Sequence, residues 1–213
     1  MGFKCSTIEV FSLNAVKGRC AHGAKLVLDA LGVEWVNPNH LGNLPTDNKR
    51  MYACMVGTSD HLCHPTKPEM SYPEAGTAAW DYFIKNNSEY ESDFASKIAP
   101  HASMIINCLY WAPGDPRILT NQQLDNLLEV ETRKPSQIGV PYLPQKLLVI
   151  SDVSADCEGS LEFMKTCTSV ERPFEIIYPS QNEVKGLVLE QSESILIRLS
   201  RILSLKTSKK IAY

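Results

Sequence analysis

Short apolar runs, each closed by polar or turn-forming residues, recur along the chain. They predict strands at Ile8–Leu13, Val33–Val36, Met51–Val56, Met104–Leu109, Lys146–Ile150 and Phe174–Tyr178. Between the first two runs, Leu26, Val27, Ala30 and Leu31 fall at helical spacing, in a helix that begins near Gly23 and stops at Gly32. A strand, loop, helix and strand in that order predict two parallel strands joined by a right-handed crossover. Tyr90, Phe94 and Ile98 recur at every fourth residue and predict a helix over Glu89–Ile98. Thr120 is placed to cap a further helix, with Leu124, Leu127 and Leu128 on its buried side. Alternating strands and helices predict an α/β protein with a doubly wound, mostly parallel sheet and helices on both faces. Residues 1–183 account for that domain, and 184–213 for a divergent, basic, helical tail. Within the tail, Ile195, Leu199 and Ile202 share one helical face, as in a helix docked on its own domain. A partner helix or a membrane-surface helix is the alternative.

Two strands end in polar groups. Leu147–Ile150 runs into Ser151, Asp152 and, shortly after, Asp156, while Met104–Ile106 runs into Asn107, Cys108, Leu109 and Tyr110. Acids are seldom buried without partners, and ligands of open parallel sheets bind outside the carboxyl ends of the strands. The two exits therefore predict one shared cleft. The first strand-to-helix turn adds Gly18 and Gly23, although Ala15 or Val16 stands where a dinucleotide site would carry its first glycine. The amides of a helix N-terminus suit a phosphate, and Arg19 offers a bidentate contact. Asn37 follows the second strand, where NAD-selective sites carry an acid. Its lack of charge leans toward NADP(H) over NAD(H) in a Rossmann-like domain.

Composition narrows the classes. The 213 residues are 44% hydrophobic and 21% charged, as in a globular domain, and the formal charge of −3 provides no basic face for nucleic acid. No apolar run is long enough for a membrane span. Seven cysteines, at 5, 20, 54, 63, 108, 157 and 167, are an odd number and suit reduced thiols inside a cell. Cys20 and Cys108 should lie near the cleft, either as redox-sensitive groups or, more commonly, as buried structural thiols. Cys54, His61, Cys63 and His64 do not have zinc-finger spacing, so no metal is expected. Nor is there a G-x-S-x-G nucleophile elbow. An aspartyl phosphatase reading of Asp152 lacks its second acid two residues on, where Ser154 stands.

Several segments, in this order, resemble one family. They are Gly18-Arg19-Cys20-Ala21-His22-Gly23-Ala24, Ile98-Ala99-Pro100, Ile106-Asn107-Cys108-Leu109-Tyr110-Trp111, Pro116-Arg117-Ile118-Leu119-Thr120, and Asp152-Val153-Ser154-Ala155-Asp156 with Gly159–Met164. Together they are similar to the nucleotide-binding domain of lysine-ketoglutarate reductases and lysine-forming saccharopine dehydrogenases, within the alanine dehydrogenase-like group. The likeness runs from Ile8 to Pro179, and the residues from Val184 onward look unrelated. It implies an NAD(P)-dependent oxidoreductase acting on a CH–NH bond, in which lysine and 2-oxoglutarate condense and a nicotinamide hydride completes saccharopine. It further implies that Gly18 and Arg19 hold the pyrophosphate, Asn37 faces the adenosine ribose, and Tyr110 and Val153 line the cofactor. Ser154, Ala155 and Asp156 match the stretch that contacts the amino-acid product, and Asp152 either anchors that loop or serves the site. The family's proton-transfer residues belong to a domain preceding the first strand. Here only Met1–Thr7 precede it, so the expectation is a chain lacking the catalytic domain. A non-catalytic dinucleotide-binding or regulatory module is the alternative. Relatives of this kind are cytoplasmic or mitochondrial.

Overall fold

A computed structural model describes residues 8–12, 18–45, 50–128, 147–177, 184–185 and 196–200. The expectations attached to Leu13, Ala15, Val16, Lys146, Tyr178, Ile195 and Ile202 lie outside these residues. The architecture is mixed α/β, around an open eight-stranded sheet. In chain order the strands are β1 (Ile8–Ser12), β2 (Glu34–Trp35), β3 (Tyr52–Val56), β6 (Met104–Asn107), β7 (Val149–Asp152), β8 (Phe174–Ile177), β9 (Val184–Lys185) and β10 (Leu196–Ser200). The short strands β4 (Leu62–Cys63) and β5 (Glu91–Ser92) pair separately and antiparallel.

Across the large sheet the order is β2-β3-β1-β6-β7-β10-β8-β9. Strands β2 through β10 in that row are parallel, and β8 and β9 close it antiparallel. The chain leaves β1 toward β3 and β2, then crosses to β6 on the other side. The first two strands are thus parallel as expected, yet β3 lies between them. Ser12 is level with Asn107, Asn107 with Asp152, and Asp152 with Ser200, so four strands end in one row.

Alternation along the strands divides the core between the two faces. On one face, helix α1 (Arg19–Leu31) lays Ala21 and Leu28 against Ala53, with Ile106, Met55 and Cys108 alongside. On the other, Cys54, Val56, Ile105 and Ile150 pack with Phe94, Ile98, Leu124, Leu128, Leu161 and Met164. Helix α1 begins at Arg19 rather than Gly23, and its sheet-facing side is Ala21 and Leu28. Leu26, Val27 and Leu31, expected inward, are exposed. Gly32 ends the helix with φ of 74°, the left-handed conformation open to glycine.

Two expected helices differ. After α2 (Thr58–His61) and α3 (Ala78–Lys85), only Phe94–Lys97 of Glu89–Ile98 is α-helix (α4); Glu91–Ser92 is strand β5 and Ala99–His101 a 3-10 turn. Tyr90, Phe94 and Ile98 are all buried nonetheless, so their spacing reported a shared core and not a single helix. In the tail, Leu196–Ser200 is a strand between β7 and β8, where it hydrogen-bonds to both, and not part of the expected helix docked on the domain. Helix α5 (Asn121–Leu128) forms as expected. Thr120 Oγ1 accepts from the Gln123 amide at 3.3 Å and Gln123 Oε1 accepts from the Thr120 amide at 2.9 Å, a reciprocal capping box. Among the described residues no helix is long and apolar enough to cross a membrane.

Candidate functional site

The carboxyl ends of β6 and β7 are tied by a buried polar network. Asn107 is fully buried, Asp152 and Ser160 are each 1% exposed, and the three side chains meet. Asn107 Nδ2 donates to Asp152 Oδ1 and to Ser160 Oγ, each at 2.9 Å. Its Oδ1 accepts from the Leu109 amide at 3.2 Å, turning the chain outward beyond β6. Asp152 Oδ1 also accepts from the Ser154 hydroxyl at 2.7 Å and the Ser154 amide at 3.2 Å. The Val153 amide donates to Asn107 O at 2.8 Å and extends the strand pairing by one residue. Asp152 thereby anchors the loop that follows it. A buried carboxylate needs such donors to offset the cost of leaving water.

Past this anchor the backbone bends sharply. Ala155 and Glu158 have φ of 55° and 51°, unusual for residues with a Cβ. Gly159 closes the bend: its amide donates to Asp156 O at 3.1 Å, and a Cβ there would stand 2.8 Å from Asp156 Cβ. The segment 158–164 is braced from outside. Arg117 Nη1 pairs with Glu162 Oε1 at 2.6 Å and Nη2 donates to Glu158 O at 3.0 Å. Glu162 Oε2 accepts from the Asn121 amide at 2.8 Å, at the start of α5. The Ile118 amide donates to Ser160 O and the Glu162 amide to Leu119 O. Two distant motifs, Pro116–Thr120 and Gly159–Met164, are in this way parts of one support.

Gly18 precedes the first turn of α1 as its N-cap, in extended conformation and with no side chain capping the helix. No acidic residue occupies that first turn. Arg19 is exposed, and among the described residues no partner engages its guanidinium. Cys20, also exposed, lies close enough to Cys108 to add to the effect of burial, which pushes the Cys108 thiol up to about 12; Asp152 contributes in the same direction. This ties the start of α1 to the ends of β6 and β7. Cys20 is thus not the buried thiol expected, and Cys108 is half-buried and held protonated.

Of the residues singled out from sequence, Gly18, Arg19, Tyr110, Val153, Ser154, Ala155 and Asp156 follow three neighbouring strands, β1, β6 and β7. Tyr110 is 78% exposed and lines a small surface cleft together with Thr58, His61, Phe83, Leu109 and Pro116. Asn37 is set apart, because β2 is two places from β1. Its Oδ1 accepts from the Asn39 amide at 2.9 Å and caps the 3-10 turn Pro38–Asn43. Ser154 is committed to Asp152, whereas the half-buried Asp156 carboxylate has no partner among the described residues. The cysteines and histidines of the middle segment go separate ways. His61 Nδ1 lies 2.9 Å from Ser92 Oγ, His64 Nε2 lies 3.2 Å from Glu89 Oε2, and Cys54 is in the core. Among the described residues no three His, Cys, Asp or Glu side chains are grouped to hold a metal ion.

Sequence reasoning missed Asn107 as the hub and Ser160 as its partner. The available signal was an amide ending one apolar strand and an acid ending the next.

A parallel sheet whose strand ends gather polar loops along one edge defines a mixed α/β protein, of a class whose ligands bind outside the carboxyl ends of the strands. Over most of its length the chain belongs to the alpha-aminoadipic semialdehyde synthase family. It is 34% identical over 160 residues to the mitochondrial alpha-aminoadipic semialdehyde synthases of Mus musculus and Bos taurus, a match covering 74% of this chain. It is 29% identical over 191 residues to the alpha-aminoadipic semialdehyde synthase of Arabidopsis thaliana, covering 84% of this chain. In each case the chain spans 16% of the length of the relative. No family model matches it.

Proposed function

We propose that this chain is the dinucleotide-binding part of an oxidoreductase of lysine degradation, which forms saccharopine from lysine and 2-oxoglutarate with NADPH or NADH. Its sheet is read as doubly wound and Rossmann-like. The observation that carries the reading is the common edge at which β1, β6 and β7 end, with Gly18–Arg19, Tyr110 and Val153–Asp156 immediately beyond. Dinucleotides of doubly wound sheets lie where the strand order reverses, and here it reverses between β1 and β6.

The residues present fit such a cofactor. The first turn of α1 offers amides with no side-chain cap and carries no acid, and Arg19 stands exposed within it. Tyr110 and Val153 would flank the nicotinamide half, and Asn37 the adenosine ribose, where its lack of charge favours the 2′-phosphate of NADPH. The bound cofactor supplies a hydride; the protein's part is to fix geometry and exclude competing reactions. Asp156 would take the ammonium group of the amino-acid substrate, with Ser154 and Ala155 shaping the loop around it. Proton transfer falls to residues of a catalytic domain elsewhere in the enzyme. The animal relatives are mitochondrial by name, and the same compartment, or the cytoplasm, is the proposed location here.

Titration of the purified chain with NADPH and NADH, followed by nicotinamide fluorescence, tests the reading. Saturable binding is expected, tighter for NADPH. Absence of binding by both would overturn it.

A further inference from the structure

Cys157 and Cys167 are ten residues apart in sequence, both exposed, and their sulfurs lie 3.8 Å from each other. The intervening chain is folded back on itself. The Glu158 amide donates to Met164 O at 2.6 Å, and the Gly159 amide to Asp156 O. Arg117 grips the same turn through Glu158 O and the Glu162 carboxylate. Cys167 also reaches the loop next door: its Sγ donates to Ala155 O at 3.2 Å. The two thiols are therefore held near each other by a braced turn, and one of them already contacts the bend after Asp152.

We infer that Cys157 and Cys167 are a modification site: a dithiol that closes reversibly to a disulfide and so sets the position of the Ser154–Asp156 loop. The oxidant is a small disulfide such as oxidised glutathione. The thiolate of one cysteine attacks a sulfur of the oxidant and expels one molecule of reduced glutathione. The second cysteine, giving up its proton, attacks the protein-bound sulfur and expels the other. Two electrons pass from the protein's sulfurs to the oxidant's, and two thiols become one disulfide. An S–S bond is about 2.0 Å long, so the sulfurs must approach by roughly 1.8 Å. Cys167 then surrenders its S–H hydrogen bond to Ala155 O, and Cys157 draws on Asp156, its neighbour in sequence. Oxidation exchanges a weak contact on this loop for a covalent one. That the loop binds substrate rests on the function proposed above; the disulfide itself does not.

Trypsin separates the two cysteines, because Lys165 lies between them. The full chain is equilibrated in glutathione buffers of graded oxidation, remaining thiols are alkylated, and the digest is mapped. The expected product links the peptide Leu147–Lys165 to the peptide beginning at Thr166, two hydrogens lighter than the separate pair. C157S should abolish it and C108S should leave it intact. Hydrogen exchange at the amides 154–156 should slow in the linked form. If the reduced chain binds saccharopine, the linked form should bind it about tenfold more weakly, as for loss of one charge-assisted hydrogen bond. Recovery of both peptides singly alkylated or glutathionylated at every poise would overturn the inference. So would equal linkage in urea-unfolded chain, or exchange at 154–156 unchanged by linkage. A reduced chain that ignores saccharopine, with the link still forming, would instead count against the proposed function alone.

Discussion

Asn107 and Asp152 face each other across the ends of β6 and β7, and the Asn107 amide donates to the Asp152 carboxylate at 2.9 Å with both side chains out of contact with water. Removing the amide leaves a buried carboxylate and a buried Ser160 hydroxyl short of a donor. Asn107→Ala should lower unfolding free energy by about 2–4 kcal/mol, since the lost donor leaves part of the buried charge's desolvation uncompensated. Urea unfolding checks this. Ser154→Ala, which removes one donor near the rim, should cost about 1 kcal/mol.

Gly159→Ala tests the bend after Asp152. The new Cβ would fall 2.8 Å from Asp156 Cβ and 3.0 Å from Asp156 O, so the backbone has to move. A cost of about 1–3 kcal/mol is expected in the unfolding midpoint. Any ligand held by Asp156 should weaken along with it, measured by calorimetry.

Arg19→Ala addresses the phosphate contact. An exposed guanidinium with no partner among the described residues contributes little to the fold, so the thermal midpoint should stay put. The affinity for NADPH should fall by about 1–3 kcal/mol. Unchanged affinity would remove Arg19 from the site.

His61 makes stability depend on pH. Burial is the main cause that lowers its pKa to about 4, and the Lys97 charge adds to it. The unfolded chain takes up a proton from about pH 6.5 downward, while the folded ring resists until about 4. This contribution is therefore complete above pH 6.5, lost progressively through that window, and constant below it. The loss should be about 3 kcal/mol. Denaturation of the wild type and of His61→Leu at pH 7 and pH 4.5 isolates it, because the variant should lack this part of the slope.

Much of the sheet was legible because its strands are apolar runs with polar stops: Tyr52–Val56, Met104–Asn107 and Phe174–Ile177 fall inside the predicted segments. What local pattern cannot carry is who pairs with whom. The interposition of β3 between β1 and β2, and the antiparallel turn of β8, are long-range outcomes. Tyr90, Phe94 and Ile98 misled because three short elements can bury the same spacing as one helix. At the site, the polar stops after Ile106 and Ile150 marked the edge, and Thr120 marked the cap of α5. The role of Asn107 was hidden, since an asparagine at a strand end is as often a turn residue as a hub.

β7 and β8 share no hydrogen bonds; β10 is seated between them and bonds to both. Among the described residues, the hydrogen bonding of the β8–β9 pair reaches the parallel strands through β10, a segment synthesised after it. On a ribosome, β7 would wait as an open edge, bearing Asp152 and its loop, until residues 196–200 emerged to zip the two halves together. The sheet edge beside Asp152 is in this sense completed by residues far downstream of its polar groups.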